Sequence, residues 1–279
     1  MGQFQKQQIG NVELIALQDS WMNVPPGMVF SDVAAGEWDN YKEFLNGDGN
    51  LTLNIGSWLV RSEGKTILVD TGIGAWPNEM PTQAEPSLPS VLEAAGVKPD
   101  EIDIVVFSHF HFDHTGWNTD PGNGGKTPTF ANARHVAQQI EWDHWSSSDE
   151  LKEGSRFATS IEPIEQAGLW DLVEGEHPLT SEMVSLPTPG HTPGHVSFII
   201  SSGGEKAYLI TDAAHLPAQL SETDWSIDFD TDKSISRQTR HTLFDRIEAD
   251  GALIASGHFP YPGLGHAVRE GGKRVFKPI

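Results

Sequence analysis

The run Ile102-Asp103-Ile104-Val105-Val106-Phe107 leads, across a single serine, into His109-Phe110-His111-Phe112-Asp113-His114. This junction constrains the fold more than any other part of the 279-residue chain. A β-branched apolar run of this kind reads as a buried strand. Four side chains of metal-ligand type, within six residues, therefore stand at a strand's end. Buried ionisable groups are costly unless they are paired or bind metal, so the fold is expected to bring further ligands to the same place. If strand geometry persists past Phe107, His109 and His111 project to one side, because strand side chains repeat every second residue, and they can share one ion. Asp113 and His114 fall where Thr115-Gly116 turns the chain and can face a second ion. The spacing predicts two metals.

Three more apolar strands run into ligand-type residues. Met183-Val184-Ser185-Leu186 leads through Pro187-Thr188-Pro189-Gly190 to His191; Ala207-Tyr208-Leu209-Ile210 leads to Asp212; Ala252-Leu253-Ile254-Ala255 leads to His258. His109, His111 and His191 then supply one ion, Asp113, His114 and His258 the other, and Asp212 can bridge them. With a hydroxide bridging two divalent cations the centre keeps a small positive charge and stays electrophilic. A metal pair roughly 3.5–4 Å apart brings the pKa of bound water from about 16 towards about 7. Hydrolysis at a carbonyl or phosphoryl centre is the expected reaction. No Ser or Cys nucleophile is needed, which agrees with the absence of cysteine and of a Gly-x-Ser-x-Gly elbow.

Upstream, Val12 to Leu17 reads as a strand leading into Pro25-Pro26-Gly27, and Val33 to Phe44 as a short helix or ordered loop. Leu51 to Ile55, Ser57 to Val60 and Lys65 to Asp70 read as an antiparallel meander. Asp70 at its end is either a turn former or a carboxylate that orients a metal-bound histidine. Pro77 to Pro89 reads as a loop, Ser90 to Gly96 as a helix stopped by glycine, and Asn118 to Pro128 as a loop leaving the site. Ala133 to Ala137 is an expected strand, followed by a helix starting at Gln138; Glu141 to Trp170 is expected to pack helices and loops beside the site. Trp117, Trp142 and Trp145 are pocket or packing aromatics. Val196 to Ile200 is a further strand and Asp230 to Ile247 a helix. The order of strands and helices predicts a strand-rich sandwich faced by helices, and 279 residues allow one large domain or two small ones.

The chain carries 18 basic and 39 acidic residues, a formal charge of −21. That balance disfavours nucleic acid and anionic membrane as partners, since both are bound by positive surfaces. Without cysteine, disulfides and thiolate metal sites are excluded. Met1 to Gln8 has no apolar signal core and no run approaches membrane-span length. A cytoplasmic protein is expected, unless a signal sequence has been removed.

The pattern His109-x-His111-x-Asp113-His114, with His191, Asp212 and His258, resembles the metallo-β-lactamase superfamily over essentially the whole span from Leu51 to His258. The resemblance implies an α+β fold, a four-layer αββα sandwich with a dinuclear site at one edge, formed by residues 1–279 as one domain. Two aspartates and no cysteine in the ligand set set the chain apart from the common cysteine-containing β-lactamases. Thr211-Asp212-Ala213-Ala214-His215, Asp228-Phe229-Asp230-Thr231-Asp232 and the stretch from Gly257 to His266 look like methyl parathion hydrolase-like and quorum-quenching lactonase-like enzymes. Lactonases of this type place a tyrosine three residues after the bridging aspartate, where this chain has His215. That departure resembles the phosphotriesterase-like branch, although an imidazole can also donate a hydrogen bond. The resemblance thus implies hydrolysis of esters, lactones or phosphotriesters with Asp113, Asp212 and His215 as catalytic residues. It implies a small-molecule substrate, two divalent ions (zinc first, with Fe, Mn, Co or Ni also suited to these ligands) and a homodimer. His195 and His266 are expected to be structural or to support ligands. A β-lactamase, a glyoxalase-type thioesterase and an iron-dependent redox enzyme are the alternatives on the same fold.

Overall fold

The computed structural model of the protein describes residues 3–76, 82–154 and 156–279. The first sheet comprises β1 (Phe4–Ile9), β2 (Val12–Val24), β3 (Leu51–Ser62), β4 (Lys65–Val69), β5 (Ile104–Val106), β6 (Arg134–Gln138) and β7 (Trp170–Val173), in that spatial order. The second comprises β8 (His177–Pro178), β9 (Met183–Pro187), β10 (Val196–Ser202), β11 (Glu205–Leu209), β12 (Leu253–Ala255), β13 (Leu264–Glu270) and β14 (Lys273–Pro278), again in sequence order across the sheet. The helices are α1 (Pro26–Val29), α2 (Leu88–Ala94), α3 (Gln139–Ser146), α4 (Asp149–Gly154), α5 (Glu162–Gln166), α6 (Ala218–Ser221) and α7 (Lys233–Asp250), with α2 and α7 packed on the outer faces of the two sheets.

The period of two along each strand produces the layers. Leu14 and Ala16 of β2, Trp58 and Val60 of β3, and Ile67 and Val69 of β4 meet Phe198 and Ile200 of β10, Ala207 and Leu209 of β11, and Leu253 and Ala255 of β12 between the sheets. The intervening Ile15, Leu17, Leu59 and Leu68 face outward against Leu88, Val91 and Leu92 of α2. Tyr208 and Ile254 face Leu243, Phe244 and Ile247 of α7. Strands covered on both sides carry unbroken apolar runs, as buried sheets should, and each fully buried side chain contributes roughly 1.5–3 kcal/mol. The result is the expected αββα sandwich. Asp232 caps α7 by accepting from the N–H groups of Ser234 (2.9 Å) and Ile235 (3.1 Å), and Gly251 ends it at φ 60°.

Several local expectations need correction. Leu51–Ser62 is one strand, not two; Gly56 lies inside it because a Cβ there would press on Gly257, and the partner strand shifts register between Gln18 and Ser20. Strand β5 ends at Val106, so strand geometry does not carry through His109 to His114. β1, β7, β13 and β14 were not anticipated, since their faces are partly exposed and their apolar pattern is weak. Val33 to Phe44 is helical as expected, in two 3-10 turns, Ala35–Asn40 and Lys42–Phe44. Of the loop expected from Pro77 to Pro89, residues 77–81 lie outside the described residues, and α2 already begins at Leu88.

Strand register places the site. β4 and β5 run parallel with Val69 opposite Val106, and β11 and β12 run parallel with Leu209 opposite Ala255. Each pair therefore ends at one edge, and the segments leaving those ends carry Asp70, the 109–114 loop, Asp212 and His258. The Val196 N–H donates to the Ser108 carbonyl at 3.0 Å and joins the two edges. Among the described residues, no helix is long and apolar enough to cross a membrane.

Candidate metal centre

The seven residues named as ligands converge. Donor atoms of His109, His111, His191 and Asp212 lie within 4.8 Å of one another, and so do those of Asp113, His114 and His258. Asp212 reaches both groups: its Oδ2 is 3.2 Å from Nε2 of His191 and 3.2 Å from Nε2 of His258, while its Oδ1 is 3.2 Å from Nε2 of His114. His111 Nδ1 and His191 Nε2 are 2.9 Å apart. Asp113 stands 3.7 Å from His258 and 3.8 Å from His114. His215 adds Nε2 at 3.1 Å from Asp212 Oδ2.

These donors fit cations. Nε2 of His109, Nε2 of His114 and Oδ1 of Asp212 are buried without a hydrogen-bond partner among the described residues. Buried polar atoms are almost always satisfied, and orphans that face one another mark a place for ions. The electrostatics agree. Burial, with neighbouring imidazoles, holds His109 and His111 well below the usual histidine range. For His114, burial is outweighed by Asp212, Asp113 and Asp70, which push it well above that range. His191 is likewise buried, yet Asp212 and Asp230 raise it to about 9. Asp212 is desolvated but held well below the usual carboxylate range by His114 and His258. The carboxylates thus draw positive charge towards His114 and His191, while burial keeps His109 and His111 as unprotonated donors.

Most of these imidazoles are fixed through a second nitrogen. Asp70 Oδ2 lies 2.8 Å from His114 Nδ1 and accepts from Ser108 Oγ at 2.7 Å, while its Oδ1 accepts from the Ser108 N–H at 2.8 Å. Asp70 also has φ 58°, so it both turns the chain and orients a histidine. Asp230 stands 3.0 Å from His191 Nδ1 and is flanked by the buried Arg240 guanidinium at 3.5 Å. His258 Nδ1 donates to the Asn54 carbonyl at 2.8 Å. Such partners fix the tautomer and leave Nε2 free for a cation.

His195 is a support. Its Nδ1 donates to the Thr188 carbonyl (2.8 Å), and its Nε2 accepts from the Asp212 N–H (3.2 Å). His266 is exposed on β13, away from the cluster. Trp117 donates to Asp19, Trp142 packs on Phe157 and Trp170, and Trp145 donates to Glu141 while its ring meets His111 edge-on at 5.5 Å. All three are packing residues. Ser108, Asn54 and Glu141 carry no signal in the sequence, because each is a lone polar residue without periodic neighbours. For Asp230, the position within the 228–232 stretch was the one available hint.

The cluster floors a cavity whose walls are apolar: Met22, Val24, Val29, Leu53, Phe112, Ile227 and Phe229. His111, Asp113, His191, Asp212, His215 and His258 face it from below. Burial lowers His215 to about 4 despite the opposing pull of Asp212, so this imidazole is neutral near pH 7.

An αββα sandwich with a histidine–aspartate cluster at the strand ends defines a class. The metallo-beta-lactamase superfamily model matches residues 53–258, and the chain belongs to that superfamily. It is 29% identical to an N-acyl homoserine lactonase of Bacillus cereus over 229 residues, covering 75% of this chain and 83% of the relative. It is 27% identical to the N-acyl homoserine lactonase AttM of Agrobacterium fabrum over 186 residues, 61% of this chain and 62% of the relative. AidC, a dizinc quorum-quenching lactonase solved with an N-acyl-L-homoserine product, superposes with a TM-score of 0.83 at 25% identity, covering 100% of this chain and 98% of AidC. The hydrolase AbOPH superposes at 0.88 with 23% identity and the same coverage, which is a likeness of fold. Family and cluster together make this chain a metal-dependent hydrolase with a centre for two divalent ions.

Proposed function

We propose that the protein hydrolyses N-acyl homoserine lactones or closely related neutral esters, with two zinc ions held by His109, His111 and His191 on one side, Asp113, His114 and His258 on the other, and Asp212 between them. The observation that carries this reading is the pairing of that cluster with an apolar-walled cavity directly above it. The walls formed by Met22, Val24, Val29 and Leu53 have the apolar chemistry that an acyl chain calls for, and the cluster below them suits a compact polar head group. Two bound divalent ions supply Lewis acidity and an ionised water near neutral pH.

The side chains supply the rest. Neutral His215 lines the cavity with its Nε2 3.1 Å from Asp212 Oδ2, so its imidazole can hydrogen-bond a substrate oxygen as charge develops there. Asp113, with a side chain 12% exposed at the cavity floor, is placed to take the proton released by the attacking water and pass it to the departing alkoxide. The phenyl ring of Phe229, 49% exposed, forms the mouth. Net charge of −21 favours a neutral substrate and repels an anionic product, which argues against β-lactams and glutathione thioesters. His215 in place of tyrosine favours a second reading, phosphotriester hydrolysis.

The test is a panel of N-acyl homoserine lactones, p-nitrophenyl esters, a methyl parathion-like triester and a β-lactam, assayed with the zinc-loaded protein. The lactones are expected to give the highest kcat/KM, and His215→Ala to lower kcat without loss of zinc. A clear preference for the triester or the β-lactam would overturn the assignment.

A further inference from the structure

Glu141 is 1% exposed, and its carboxylate lies outside the ligand set. It projects from α3, and three of its four contacts gather both histidine-bearing loops. Oε1 accepts from the Phe110 N–H at 2.9 Å and from the Trp145 indole at 2.7 Å. Oε2 accepts from the Thr192 hydroxyl at 2.7 Å and from the Gly194 N–H at 3.0 Å. Phe110 sits between His109 and His111, and Thr192 follows His191. One carboxylate therefore grips the backbone beside all three histidines assigned to one ion.

The chemistry of the contacts is specific to an anion. All four donors are neutral, and together they fill the acceptor capacity of an ionised carboxylate. Burying that charge without such donors would be prohibitive. Gly194 is part of the same device: a Cβ there would lie 2.5 Å from both the Glu141 nitrogen and its Cβ, so the close approach of the 187–195 loop to α3 requires glycine. Trp145 adds its edge-on contact with His111. Asp19 offers a contrast within the same molecule. It too is buried and accepts from the N–H groups of Ile73, Ser87 and Leu88 and from the Trp117 indole, but it holds α2 and the 73–74 segment rather than the histidine loops.

We propose that Glu141 is a positioning residue that clasps the 109–114 loop to the 187–195 loop and so sets His109, His111 and His191 as one half of the metal centre. Phe110 N–H loses its acceptor, or Gly194 N–H meets another N–H, when the carboxylate becomes an amide, even though shape is kept. The proposal rests on the ligand assignment above; its test reads zinc alone and is independent of the substrate.

Zinc affinity is measured on the full-length protein by competition with a chromophoric chelator, with thermal melting and far-ultraviolet circular dichroism in parallel. Glu141→Gln is expected to weaken one of the two zinc sites by about 10- to 100-fold, the usual effect of removing a partner behind a ligand, and to leave the other unchanged. Thr192→Val removes one of the four bonds with little change of shape and is expected to weaken the same site to a smaller degree; it serves if the glutamine variant does not fold. Gly194→Ala should reproduce the loss. Asp19→Asn is expected to lower the melting temperature while both zinc affinities stay at wild-type level. Wild-type affinity at both sites in Glu141→Gln or Thr192→Val would overturn the proposal, as would an equal loss at both sites. Wild-type protein that binds fewer than two zinc ions would overturn the ligand assignment beneath it.

Discussion

Asp70→Asn offers a sharp test of how the second half of the centre is held. Asp70 sits at φ 58°, a conformation that asparagine adopts with little strain, so the backbone should survive the change. The amide oxygen can keep the Ser108 N–H bond now made by Oδ1 at 2.8 Å. Its NH2 then replaces Oδ2, which today lies 2.7 Å from Ser108 Oγ and 2.8 Å from His114 Nδ1. Ser108 can adapt, because a hydroxyl also accepts. His114 cannot: with a donor facing Nδ1, the imidazole must carry its proton on Nε2 or turn away, and the lone pair aimed at the cation is lost. Zinc affinity at the site formed by Asp113, His114 and His258 should fall about 10- to 100-fold, or about 1.4–2.7 kcal/mol. The other site should change little. Chelator competition resolves the two affinities, and a melting curve confirms the fold. Two sites at wild-type affinity would refute the reasoning. So would a collapse of both, since it would show Asp70 acting on the fold rather than on His114.

Three further outcomes follow from the same geometry. Each methylene buried against Met22, Val24, Val29 and Leu53 is worth about 0.8 kcal/mol, so kcat/KM across a lactone series should rise about fourfold per CH2 until the wall is reached; Val29→Trp should end that rise at a shorter chain, and an unchanged profile would remove Val29 from the acyl site. Zinc at about 100 times its Kd stabilises by about 2.7 kcal/mol per ion, so stripping both ions should lower Tm by roughly 10 °C or more at about 2–4 °C per kcal/mol; calorimetry before and after chelation measures it. Glu248 is held at about 2, first by Arg269 and then by Arg274. A depressed folded-state pKa stabilises above the ordinary value and the benefit fades as pH falls through about 2. Glu248→Gln should therefore cost up to about 1 kcal/mol at neutral pH, as befits a partly exposed pair, and only a small part of that at pH 2. A cost that persists undiminished at pH 2 would assign the effect to packing.

The sequence alone determined the site to a large degree. His109 to His114 cluster so tightly after a buried run that the need for distant partners was legible, and His191, Asp212 and His258 announced themselves as polar residues at the ends of apolar strands. Strand periodicity in the long central strands was equally readable, because both faces are buried and the residues are almost all apolar. What only the tertiary structure decided is the arrangement that holds these groups. Strand geometry stops at Val106, so His109 and His111 converge because Asp70 pins Ser108 and Glu141 pins Phe110. Those contacts join residues far apart in the chain, through single carboxylates with no periodic neighbours. The same holds for the cavity wall, where Met22, Leu53 and Ile227 meet above the cluster. A local pattern records which faces are buried and where strands end; pairing across long loops depends on packing summed over both sheets, and no short stretch of residues encodes it.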